Sequence, residues 1–131
     1  MDLRPMNMDD ASFMLELKNY PETRQFAIQS HEEIKLEDHL KWLKNNIQHF
    51  QVIVNDYKNP VGAIRIHDKE VSIWIHQAYR NRMYASLVLK EETEPGMIAK
   101  IVNGNVGSFR AFVRAGFKPI DYKENYYILQ R

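Results

Sequence analysis

Glu70, Ser72, Trp74 and His76 alternate with Val71, Ile73 and Ile75, so a carboxylate, a hydroxyl and an imidazole share one face of a strand-like segment. A carboxylate or neutral imidazole there can take a proton from a bound nucleophile, and His67 is a third candidate base. A histidine on a strand is more often an ordinary hydrogen-bonded group, and Glu70 beside a turn reads equally as a solvated edge charge. A second group is Arg80-Asn81-Arg82-Met83-Tyr84-Ala85, where two guanidinium groups could bond phosphate oxygens with charge assistance. Two solvated surface arginines fit that pattern as well. A third group begins at Asn105, a good helix N-cap, with Ser108 behind it. Phe109, Phe112 and Val113 then recur at i, i+3 and i+4, Arg110 and Arg114 take another side, and Gly116 sits where a C-cap glycine belongs.

The elements that must position these groups follow from pattern. Leu3 to Met8 reads as a first strand, and Asp9-Asp10 opens a helix through Phe13, Met14 and Leu17. Tyr20-Pro21 stops that helix, because the residue before proline is pushed out of the α region. Thr23 to His31 reads as a loop. Leu36, Leu40, Leu43 and Ile47 mark a second helix, with His39 and Trp42 beside the stripe and partly exposed. Phe50 to Val54, Val61 to His67 and Glu70 to His76 form a meander, with Asp68-Lys69 as a tight turn. Met83 to Thr93 is a helix burying Tyr84, Leu87 and Val88; Met97 to Val102 is a strand; and Lys118 to Ile120 and Tyr126 to Leu129 close the chain as strands. The stretch 70–102 is a strand–helix–strand crossover, which should be parallel. The class is α/β (α+β), one domain over 1–131.

Composition narrows the function. With 131 residues the chain can bury about two-thirds of its unfolded surface. A net charge of +1 speaks against a general nucleic-acid or membrane-surface binder, which needs a concentrated basic face. There is no cysteine, which removes disulfides, zinc ribbons and thiol nucleophiles together, and no metal site is expected. No apolar run approaches a membrane span or follows a basic start, so a cytoplasmic protein is expected.

The string Asn105-x-x-Ser108, then Phe112 ahead of Gly116-Phe117, resembles the last helix of the GNAT N-acetyltransferases, which move an acyl group from coenzyme A to an amine. The element order resembles that fold over nearly the whole chain. The resemblance implies a twisted, mixed, mostly antiparallel sheet of about six to seven strands with about four helices on both faces. It also implies acetyl-CoA as co-substrate. The family's loop, Arg/Gln-x-x-Gly-x-Gly/Ala, holds the pyrophosphate on backbone N–H groups and a helix N-terminus. Its counterpart is Arg80, Asn81, Arg82, Met83, Tyr84 and Ala85, in which Met83 replaces the central glycine. A left-handed methionine costs about 1–2 kcal/mol, or on the order of ten- to thirtyfold in affinity if the cost falls on binding.

By the same resemblance, Trp74 and Ile75 line a split between two strands that receives the thioester, and Asn105, Ser108 and Phe112 complete the cofactor site. Glu70 and His76 are the candidate bases. Many relatives carry a general-acid tyrosine where Phe112 stands, and phenylalanine cannot donate a proton, which leaves Ser108, a water or unaided thiolate departure. The segments Leu17–Arg24 and Glu37–Leu43 resemble a subgroup that acetylates nucleotide-linked amino sugars. Tyr20, Arg24, His39 and Trp42 would then face the acceptor. Two alternatives stand beside it: a catalytically weakened domain that binds a ligand or partner, supported by Met83 and Phe112, and an enzyme acting on protein N-termini. A homodimer joined through the strand Tyr126 to Leu129 is a further option.

Overall fold

Asp68 and Lys69 turn the chain with φ of 49° and 65°. Both are positive, as a two-residue hairpin turn requires, and the strands on either side pair in the register their alternation predicts. The computed structural model describes residues 1–28 and 31–131. The strands are β1 (Asp2–Pro5), β2 (Phe50–Val54), β3 (Pro60–His67), β4 (Glu70–Ile75), β5 (Ile98–Val102), β6 (Lys118–Lys123) and β7 (Tyr126–Gln130). They form one seven-stranded sheet in the order β1-β2-β3-β4-β5-β7-β6. Every neighbouring pair is antiparallel except β4 and β5, the expected parallel crossover.

The helices are α1 (Ala11–Asn19), α2 (Pro21–Gln25), α3 (Leu36–Asn46), α4 (Tyr84–Glu92) and α5 (Val106–Arg114). α2 is the addition to the expected set and occupies part of the predicted loop. Pro21 ends α1 yet starts α2, because its fixed φ suits a first helical position and its missing N–H is no loss there. Residues 29–30 of that predicted loop lie outside the described residues. β1 also stops at Pro5 rather than Met8. The Asn7 side chain accepts the Asp9 N–H (2.8 Å) and the Asp10 carboxylate accepts the Asn7 N–H (3.0 Å), so Met8 enters a capped 3-10 turn instead.

The sheet carries a core on each face. α4 and α5 cover one, where Ile64, Leu89, Phe112 and Phe117 are fully buried. α1 and α3 cover the other, over Met14, Leu17, Leu43 and Phe50. The buried stripe of α3 is rotated from the predicted one: Leu36 and Leu40 are exposed, whereas His39 is only 1% exposed. A hydrogen bond between His39 Nε2 and the Ala11 carbonyl (3.1 Å) makes an imidazole acceptable in the seam between the two helices. Leu87 and Val113, predicted to be inside, lie at the open edges of their helices, and α4 buries Ser86, Val88 and Leu89. β7 lies between β5 and β6, paired on both sides, so it offers no free edge for the homodimer option. The edge on this side is β6, exposed along its length and carrying lysine at both ends and Pro119, residues that discourage edge pairing. Among the described residues, no helix is long and apolar enough to cross a membrane.

Candidate active site

β4 and β5 touch and then part. Their pairing is confined to Glu70↔Ile98, beside which the Ile98 N–H donates to the Lys69 carbonyl (2.8 Å). At the far end of β4 the His76 N–H donates to Val61 of β3 (2.8 Å). Backbone groups alternate sides along an antiparallel ladder, so those of Ile73 and Ile75 point away from β3 and into the split. The Ile75 carbonyl is met there by Arg80 Nε at 3.1 Å. Gly62 keeps β3 against β4 at this level: a Cβ on it would lie 2.3 Å from the Trp74 carbonyl oxygen.

Around the split runs a cleft of about 1090 Å³. Trp74, Ile75, the whole turn from Arg80 to Ala85, Asn105, Ser108 and Phe112 line it, together with Glu70, Arg24 and Trp42. The turn is left-handed twice, at Asn81 (φ 63°) and Met83 (φ 63°, ψ 15°), which delivers the chain into α4 with its first N–H groups facing outward. Met83 therefore holds the conformation that glycine would adopt, and its side chain stays half exposed. α5 begins nearby, its Asn105 Oδ1 accepting the Ser108 N–H at 3.4 Å.

The arginines behave differently from one another. Arg80 does not reach outward: besides Ile75 it holds Glu22 at 2.6 Å and lies over the Tyr20 ring. Arg82 is exposed and sits against Tyr79. Arg24 lines the cleft with a buried Nε that has no partner among the described residues. Phe112 is 1% exposed and packs edge-on against Phe117, so it serves the core while touching the cleft.

Four predicted site residues stand outside the cleft lining, the first being His67 at the hairpin end of β3, its Nε2 3.2 Å from the Asp68 carboxylate. His76 caps the turn after β4, its Nδ1 accepting the Ala78 N–H (3.1 Å) and its Nε2 lying 2.7 Å from the Glu16 carboxylate. Both ring nitrogens are thus committed. Tyr20 donates to the same carboxylate (2.7 Å), and burial together with that carboxylate pushes its phenol up to about 12. His39 is in the core, and burial followed by the charge of Lys18 holds its pKa below the usual imidazole value. Glu70, by contrast, faces the cleft and pairs with Lys100 at 3.1 Å, a contact that raises the lysine's pKa.

The structure adds two cations the sequence reading did not single out. Lys18 of α1 places Nζ 3.3 Å over the Trp42 ring and 5.9 Å from the rings of Phe50 and Trp74. Burial, and then the charge of Arg65, lower it to about 8. Arg65 stands on β3 opposite Ser72, on the face that carries Trp74. Both were detectable by spacing. Met14, Leu17 and Lys18 fall at i, i+3 and i+4, which puts Lys18 on the buried side of α1, and Arg65 interrupts an otherwise apolar strand.

A parallel pair that splits beside two helix N-termini and a left-handed turn defines a site for an extended, anion-bearing ligand. Residues 1–118 match the family model described as an acetyltransferase (GNAT) domain. The chain belongs to that family, and is a GNAT-type acetyltransferase. Solved structures share its fold throughout. A domain from Methanocaldococcus jannaschii DSM 2661 is 21% identical with a TM-score of 0.79, covering 99% of this chain and 96% of its own. Spermidine N-acetyltransferase from Vibrio cholerae, in complex with CoA and spermine, is 12% identical with a TM-score of 0.80, over 98% and 91% of the two chains. Ribosomal-protein-alanine N-acetyltransferase from Brucella melitensis is 18% identical with a TM-score of 0.76, over 100% and 99%. No curated protein matches the sequence.

Proposed function

We propose that the chain uses acetyl-CoA to acetylate a primary amine of a small molecule, with a nucleotide-linked amino sugar as the acceptor. The observation that carries the acyl-transfer reading is the single Glu70↔Ile98 pair, beyond which β4 turns the backbone of Ile73 and Ile75 to an open split. When bound, acetyl-CoA supplies an activated thioester. The first N–H groups of α4, presented by the Met83 turn, hold its pyrophosphate, and Asn105 and Ser108 at the start of α5 flank the pantetheine arm. The Ile73 and Ile75 backbone groups orient that arm, and an N–H there can donate to the acyl oxygen as charge develops on it.

Glu70 is the base in this reading, because it lies in the cleft where His76 does not. Its carboxylate takes a proton from the amine directly or through one water. Ser108 is the side chain nearest in role to the absent tyrosine and donates to the departing thiolate. The acceptor wall is built from Arg24, Trp42 and Trp74, where aromatic faces suit a base or sugar ring and a guanidinium suits a phosphate. The fully buried Phe112 is the observation that favours the second reading, a domain that binds its ligands with little turnover. A thiol-release assay with acetyl-CoA and a panel of UDP-amino sugars separates the two. Turnover on a panel member, lost in Glu70→Gln, supports the enzyme; cofactor binding with no turnover on any member supports the binding domain.

A further inference from the structure

The acceptor half of the cleft holds positive charge that its own carboxylates do not balance. Three carboxylates line the cleft: Glu22 pairs with Arg80 and accepts from Gln77, Glu70 pairs with Lys100, and Glu32 is the third. Lys18 and Arg65 make no ion pair among the described residues. They nevertheless converge. Lys18 descends from α1 between Trp42, Phe50 and Trp74, while Arg65 rises from β3 with Phe50 and Ser72 as its cross-strand neighbours. Among the described residues the Arg65 Nε is buried without a partner, and after burial itself the charge of Arg65 is what disfavours the Lys18 ammonium. Two like charges drawn together in a partly buried cleft repel each other, and a bound group of opposite charge relieves that repulsion.

We propose that Lys18 and Arg65 form a subsite for an oxyanion, phosphate or carboxylate, carried by the acyl acceptor. This rests on the acyl-transfer reading and specifies its substrate: the amine belongs to an anionic molecule. The guanidinium supplies a planar fork of donors and the ammonium a point charge, a combination that holds one oxyanion from two sides. Trp42 and Trp74 shield it in part from water, which strengthens both contacts. The same charges repel a polycation. Despite the shared fold, the pocket is the electrostatic opposite of what spermine, the ligand of the Vibrio cholerae structure, requires.

The test uses the full chain loaded with coenzyme A, whose binding is measured first. Calorimetric titration then follows UDP as the phosphate probe, glutamate as the carboxylate probe and spermine, in the wild type, Lys18→Met, Arg65→Gln and the surface control Lys41→Met. Loss of a charge-assisted contact predicts that the preferred anionic probe binds at least about tenfold more weakly in each site variant and unchanged in the control. UDP binding alone identifies a phosphate acceptor, and glutamate binding alone a carboxylate one. Equal anion affinity in all four proteins, no anion binding in the wild type, or preferential spermine binding overturns the proposal. Lys18→Met and Arg65→Gln are independent, so misfolding of one leaves the other decisive. Failure of the acyl-transfer reading shows separately, as absence of heat in the first titration with coenzyme A.

Discussion

Replacing Met83 by glycine probes whether the cofactor turn is built before the ligand arrives. Met83 has φ 63° and ψ 15° and is 56% exposed, so its side chain contributes little packing. Holding a non-glycine residue in that conformation costs about 1–2 kcal/mol. Glycine removes the cost but brings about 0.5–1 kcal/mol of extra freedom to the unfolded chain. The balance is a gain in stability of about 0.5–1 kcal/mol, worth roughly 2–5 °C in Tm for a chain of this size. Because the chain's own contacts hold the turn, through Arg80 to the Ile75 carbonyl and to Glu22, its strain is a cost of folding and cancels from binding. The dissociation constant for acetyl-CoA should therefore change by less than about threefold, in place of the ten- to thirtyfold penalty that the sequence alone suggests. Met83→Ala retains the strain and should show no gain in Tm, which separates conformation from side-chain loss. Thermal melts and calorimetry on the three proteins measure both quantities. If glycine tightens binding tenfold while leaving Tm unchanged, the turn forms only with the ligand and the reasoning fails.

Two further substitutions test the scaffold and the acceptor wall. Gly62→Ala places a Cβ 2.3 Å from the Trp74 carbonyl oxygen, so β3 and β4 must separate where the split opens. Denaturant unfolding should show a loss of about 1–3 kcal/mol, and a neutral result would mean that the strands approach less closely than described. Lys18, lowered to about 8 from an ordinary 10.5, binds its proton less tightly in the folded protein than in the unfolded chain. Its penalty is thus fully present below pH 8 and fades as pH rises to 10.5, where the unfolded chain also loses the proton. Partial exposure and the Trp42 contact offset part of that penalty, so Lys18→Met should stabilise the protein by about 1–3 kcal/mol at pH 7. That advantage should shrink across pH 8–10.5 in denaturation curves; two parallel pH profiles would contradict it.

Legibility in the sequence followed the strength of local signals. The β3–β4 hairpin, α5 with its Asn105 cap and the 80–85 turn are set by short-range alternation, capping and spacing, and each lies where its residues placed it. His39 was misplaced because helical spacing ranks a histidine below the leucines around it. The hydrogen bond to Ala11 that reverses the order comes from another helix. His76 shares a strand face with Glu70 by alternation, but the strand ends at Ile75 and the following turn redirects the imidazole to Glu16. The Arg80–Glu22 pair spans 58 positions and rests on α2, a helix read as loop, so no local pattern announces it. Lys18 shows the reverse failing, since its position on the buried side of α1 was readable but a lysine there draws no notice until Arg65 is seen beside it.

The most direct test of the account is amide hydrogen exchange in the chain with and without acetyl-CoA, resolved to single residues. Binding in the split predicts slowed exchange at Ile73 and Ile75 and at the first N–H groups of α4, with β2 and β6 unchanged. Tight binding that leaves Ile73 and Ile75 exchanging at their free rates would place the ligand elsewhere and contradict the acyl-transfer site.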